Sequence, residues 1–112
     1  VVAQVAKMYR GRYGRDMDGT AARAFTAMMT LADAINRAGS TDPGKIRDAL
    51  AATNLSADKL IMPWSGIKFD ATGQNTLTSA IFLQLQNAEP KIVWPADKAT
   101  ASLVWPRPAW QK

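Results

Sequence analysis

One stretch constrains this chain more than any other: residues 18–40, DGTAARAFTAMMTLADAINRAGS, whose apolar residues recur at three- and four-residue steps. Ala21, Phe25, Met28, Leu31, Ala32, Ile35 and Ala38 gather on one stripe of a helix, while Arg23, Thr26, Thr30, Asp33 and Arg37 take the opposite side. The pattern predicts a long helix packed through the first set and wet on the second. Asp18 or Thr20 suits the cap that satisfies the first free N–H groups, and Gly39 suits the left-handed residue that ends the helix. Asp33 stands one turn before Arg37, the favourable order for an ion pair.

The flanking sequence is read against that helix. Upstream, Val2, Val5, Met8 (or Tyr9) and Tyr13 form the stripe of a shorter helix that Gly14 ends. Lys7, Arg10, Arg12 and Arg15 all precede the first acidic residue, Asp16. Tyr9 and Tyr13 beside them allow a phosphate-binding reading, but the solvated side of an amphipathic helix explains the same residues more simply. Downstream, in TDPGKIRDALAATN, Asp42 (or Thr41) caps and Pro43 fills the first turn, with Ile46, Ala49, Leu50 and Thr53 facing inward. From Leu60 the period shortens: Ile67 and Phe69 alternate with polar neighbours, and Asp70 and Gly73 supply a turn flanked by two strands. Residues 79–86 alternate again, NAEP turns the chain, and KIVW makes a third short strand. Beyond Pro95, Trp105 and Trp110 stand among Pro106 and Pro108, which predicts an extended tail held by its indoles. The expected fold is α/β, locally α+β: two to three helices, then an antiparallel three-stranded meander and a Pro/Trp-rich tail.

A chain of 112 residues, 47% hydrophobic and 21% charged, is one domain or part of one. Without Cys or His it lacks thiol nucleophiles, disulfides, zinc-finger ligands and the usual proton shuttle near neutral pH. No apolar run approaches the roughly 20 residues that span a bilayer. The chain starts without Met in the middle of a helical pattern, as a processed product or an excised fragment would. GRYGRDMDG has glycines but no strand before them and no Lys-Ser/Thr after them, so it is not a phosphate loop. Asp16 and Asp18 lack the later ligands of a calcium loop and read as cap and turn residues. An enzyme on this chain would have to use carboxylates, lysine or hydroxyls, and no motif calls for a cofactor or a metal.

The run LADAINRAGSTDPGKIRDALAATN, followed by GIKFDATGQN and IFLQLQNAEPKIVWP, resembles the C-terminal part of the periplasmic solute-binding proteins of branched-chain amino acid ABC transporters. KMYRGRYGRDMD resembles the stretch just before that helix, and VWPADKATASLVWPRPAW the family's tail. The resemblance implies a partial lobe of a two-lobed clamshell about three times this length, which closes on a small amino acid or related carboxylate. It also implies an extracytoplasmic location and a transporter permease as partner. Most groups that grip the ligand belong to earlier sequence. Phe25 stands where the family more often has Tyr, which removes a hydroxyl. The segment entering the central helix would face the cleft, so Asp18, Gly19, Thr20 and Arg23 are the expected ligand-binding residues, a helix N-terminus plus a guanidinium suiting a carboxylate. A severed lobe would expose apolar faces and form a homo-oligomer. A second reading is a small α+β interaction domain that dimerises without a transport role. A third, a basic nucleic-acid-binding module, rests on the N-terminal cluster alone.

Overall fold

Three helices open the chain: α1 (Val2–Tyr13), α2 (Gly19–Ala38) and α3 (Pro43–Ala51). They are followed by β1 (Asn54–Ser56), β2 (Gly66–Lys68), β3 (Phe82–Gln86) and β4 (Glu89–Trp94). The computed structural model describes residues 1–109, and Trp110, expected to help hold the tail, lies outside them. The chain divides into two compact units, Val1–Ser79 and Ala80–Lys112.

The helix ends follow the expected chemistry. The Asp18 carboxylate accepts from the Ala21 N–H at 2.8 Å and that of Asp42 from the Lys45 N–H at 3.0 Å, while Gly14 and Gly39 close α1 and α2 at φ 66° and 57°. The rotation of α2 does not follow. Its buried residues are Thr26, Thr30 and Ala34, whereas Met28 is 63% exposed and Ile35 also faces out. The packed side takes in part of each set: Thr26 and Thr30 of the expected wet side are buried, Ala21, Phe25, Leu31 and Ala38 of the expected stripe are half-buried, and Arg23 stays exposed. The Thr26 hydroxyl donates to the Ala22 carbonyl (2.9 Å) and the Thr30 hydroxyl to the Thr26 carbonyl (2.8 Å), so each polar group is satisfied within the helix and only a methyl face meets the neighbour. The two threonines line concavities with Leu50, Ile67 and Leu55, and α2 packs along α3.

Arg37, also assigned to water, is the clasp of that contact. Its guanidinium donates to Asp33 Oδ2 at 2.8 Å, to the Ala49 carbonyl at 2.7 Å and to Thr53 Oγ1 at 2.9 Å. Thr53 is 2% exposed. α3 buries the side expected of it, with Ile46, Ala49 and Leu50 half-buried. In α1, Val5 and Tyr9 lean inward, while Val2, Met8 and Tyr13 are exposed.

The strands form two two-stranded antiparallel sheets, β1 with β2 and β3 with β4, in place of one meander. β1 follows α3 with no turn residue to announce it. Its register sets Ser56 opposite Gly66, where a Cβ would sit 2.5 Å from the Leu55 carbonyl oxygen, so only glycine admits this pairing. After the turn at Asp70 the expected second strand shrinks to an isolated bridge between Phe69 and Asn75. The Asn75 side chain takes over the ladder: its Oδ1 accepts from the Lys68 and Leu77 N–H groups (2.9 and 3.0 Å) and its Nδ2 donates to the Gly66 carbonyl at 3.2 Å. Leu60 and Ile67 complete this unit's core.

In the second unit β3 and β4 form a hairpin around Asn87 and Ala88, both at positive φ, with a register shift between Phe82 and Leu83. Phe82 and Trp94 meet edge to face at 5.5 Å between centroids. The tail is tied by amides where indoles were expected, for Trp105 is 81% exposed. The Gln84 side chain donates to the Val104 carbonyl and accepts from the Val104 N–H, both at 2.9 Å, and Gln86 donates to the Ser102 carbonyl at 2.8 Å.

Candidate functional site

α2 begins where Asp18 stops the preceding turn, and this places the four expected residues within its first turn and a half. All four are exposed. Asp18 is committed to the helix itself. Its carboxyl is held below the usual carboxylate range chiefly by the Ala21 N–H, with help from the Thr20 N–H and the Arg15 charge 3.9 Å away, against a smaller opposing desolvation. The N-terminal anion position is therefore filled by the chain's own carboxylate.

Arg23 is placed differently. A Cβ on Gly19 would lie 3.7 Å from Arg23 Nη2, so the guanidinium folds back over the first turn. Among the described residues no carboxylate pairs with it. It stands at the lip of a groove of about 380 Å³ that runs between α2, α3 and β2, floored by Ile67 and Thr30 and walled by Leu31, Leu50, Trp64 and Phe69. The volume lies within the range of small-molecule sites, and an apolar trough with one cation at its edge is shaped for an amphiphilic anion. Asn75 and Thr78 add polar atoms to the rim.

The structure thus brings Arg23 and Gly19 together and leaves Asp18 as a cap. Sequence reasoning missed the groove walls. Trp64, just before Gly66 and the strand it opens, belongs to the first unit and walls the groove. Phe25 lines a different concavity, of about 320 Å³, with Tyr9, Tyr13 and Met17 of the α1 side, so the aromatic of the central helix does not face the Arg23 groove.

The basic cluster is partly neutralised: Arg10 pairs with Asp16, and Arg15 approaches both Asp18 and the Tyr9 hydroxyl, the latter at 3.4 Å. Asp16 is thereby an ion-pair partner. Among the described residues no group of three or more acidic side chains could hold a metal, and no helix is long and apolar enough to cross a membrane.

No protein-family model matches the sequence. The chain is similar to the Leu/Ile/Val-binding protein homolog 7 of Brucella abortus, of Brucella suis and of Brucella melitensis, 25% identical over 105 residues in each case. The match covers 93% of this chain and 26% of each relative, so the chain spans about a quarter of the length of these curated relatives. A distant relation to Leu/Ile/Val-binding proteins follows, and these are by name binding proteins.

Proposed function

We propose that the chain is the C-terminal segment of an extracytoplasmic solute-binding protein that carries branched-chain amino acids or related small carboxylates, aliphatic or aromatic, to the permease of an ABC transporter. It performs no catalytic step. The observation that carries this reading is the unpaired Arg23 guanidinium at the lip of an apolar groove, in a chain related along nearly its whole length to Leu/Ile/Val-binding proteins.

The proposed contact runs as follows. The ligand carboxylate takes the fork of Arg23 over the first turn at Gly19, while the hydrocarbon lies against Leu31, Trp64 and Phe69. Asp18 adds a negative charge nearby and so limits affinity. Among the described residues no acidic side chain lines the groove to match an ammonium, so the isolated chain favours a plain aromatic carboxylate over isoleucine. With part of a cleft, affinity is on the order of millimolar.

Titrating benzoate and isoleucine while following amide shifts tests this. Saturable shifts at residues 19–23 and at the Trp64 indole are expected with benzoate, and Arg23→Gln should remove them. Absence of any saturable change would end the reading. The exposed apolar residues Met28, Ile35, Leu83 and Leu85 favour one further element, self-association of the isolated chain, which an interaction domain without transport would share.

A further inference from the structure

The open edge of β3 offers a partner surface whose register can be derived. Ile92 of β4 turns its N–H and C=O away from β3: its N–H donates to Thr100 Oγ1 at 3.0 Å, and its carbonyl accepts from the Thr100 and Ala101 N–H groups at 2.8 and 3.2 Å. In an antiparallel ladder, the residue opposite such a position is equally turned outward. Leu83 faces Ile92 and Leu85 faces Pro90, so the backbone groups of Leu83 and Leu85 point to the free edge, where no partner meets them among the described residues. An isolated two-stranded hairpin is marginal in water. This one leaves Leu83 56% and Leu85 73% exposed, within an uncharged, proline-free run, TSAIFLQLQNA. Such an edge is a template for strand addition.

We propose that β3 pairs with β3 of a second copy, antiparallel and centred on Gln84, to make a closed four-stranded sheet. That register sets Leu83 opposite Leu85 of the copy, so the outward groups of both strands meet as hydrogen-bonded pairs. It overlaps all of Phe82–Gln86 and joins the leucines of both chains into one apolar face. The strand carries no charge, so no like charges meet across the axis. Growth stops at two copies because the outer edge of β4 is closed. Pro90 has no N–H to offer, Ile92 is already bonded to residues 100 and 101, and Pro95 follows Trp94.

The inference rests on the self-association reading, and its test separates the two. Sedimentation velocity of the full chain over a concentration series should show monomer and dimer with no larger species. Leu85→Pro, which removes an outward N–H from an edge, should weaken the dimer at least tenfold. The chain has no cysteine, so single Gln84→Cys, Leu83→Cys and Leu85→Cys variants report register directly. Residue 84 lies on the axis, about 4.5 Å from its copy in a non-hydrogen-bonded pair, and should cross-link to itself far faster than 83 or 85. Mixing the 83 and 85 variants should restore cross-linking. Should Leu85→Pro disrupt the hairpin itself, the cysteine pattern still decides. A dimer untouched by Leu85→Pro, with equal cross-linking at the three sites, would overturn edge pairing while leaving self-association standing. A monomer at every concentration would overturn both, and filaments would overturn the closure.

Discussion

Replacing Arg37 by Ala isolates the rotation of α2. Two residues along a helix are about 200° apart in azimuth, so Met28 and Thr30 lie on nearly opposite sides, and Arg37 falls within a few tens of degrees of Thr26 and Thr30. Arg37→Ala removes three charge-assisted hydrogen bonds, of which those to the Ala49 carbonyl and the buried Thr53 hydroxyl join α2 to α3. Hydrogen bonds to charged groups contribute about 1.5 to 3 kcal/mol each. The side chain is 35% exposed, so water replaces part of the loss, and the Asp33 pair, equally exposed, is worth little alone. The expected cost is about 2 to 3 kcal/mol in the unit that holds the helices. Met28→Ala removes an exposed side chain and should cost less than about 0.5 kcal/mol, where a buried methionine would cost 2 to 5. Urea unfolding followed by helical circular dichroism, at concentrations low enough to keep the chain monomeric, measures both. A Met28→Ala cost equal to or above that of Arg37→Ala would mean α2 packs through its apolar stripe after all.

Gly66→Ala should cost more than about 2 kcal/mol, since its Cβ would meet the Leu55 carbonyl oxygen and force β1 from β2; hydrogen exchange at Leu55 and Ile67 would report the loss, and unchanged protection would refute the close approach. Asp70 has a carboxyl held below its ordinary value, first by the Thr72 hydroxyl and then by the Gln74 and Thr72 N–H groups. A depressed folded pKa gives stability that is present above the unfolded value, about 3.9, and is lost as pH falls through the folded one. Thermal melts from pH 6 down to pH 2 should therefore show acid destabilisation that Asp70→Ala flattens, and identical pH profiles for the two proteins would count against this role of the turn.

What the sequence shows clearly is what local chemistry decides. The caps at Asp18 and Asp42, the glycine stops at positions 14 and 39, the inward side of α3 and the turns at Asp70 and Asn87 all rest on interactions within a few residues. Mixed α/β content follows from the same signals. What it conceals is what side chains do at a distance. A hydropathy reading counts Thr26 and Thr30 as polar and cannot know that their hydroxyls are spent on their own helix. It counts Arg37 as solvated because the Ala49 carbonyl and Thr53 lie 12 and 16 residues away. The meander failed because Asn75, which resembles any loop asparagine, substitutes its side-chain amide for a strand. Of the site, Arg23 and Gly19 were legible as the start of a helix, whereas the walls from Leu50, Trp64 and Phe69 depend on how three elements converge.

The Gln84 clamp on Val104 has a bearing on ionic strength. An amide side chain carries an NH2 donor and a carbonyl acceptor, neutral groups like those of the peptide, and neither titrates over any pH at which the chain stays folded. The second unit is thus stitched largely by neutral groups, through Gln84, Gln86 and Thr100. The first leans on charge, through Arg10 with Asp16, Arg15 with Asp18 and Arg37 with Asp33. Concentrated salt screens the exposed pairs of the first unit and leaves the tail's attachment unaffected. A brine that loosens α1 would find the hairpin and its tail still joined, two halves of one chain answering to different solvents.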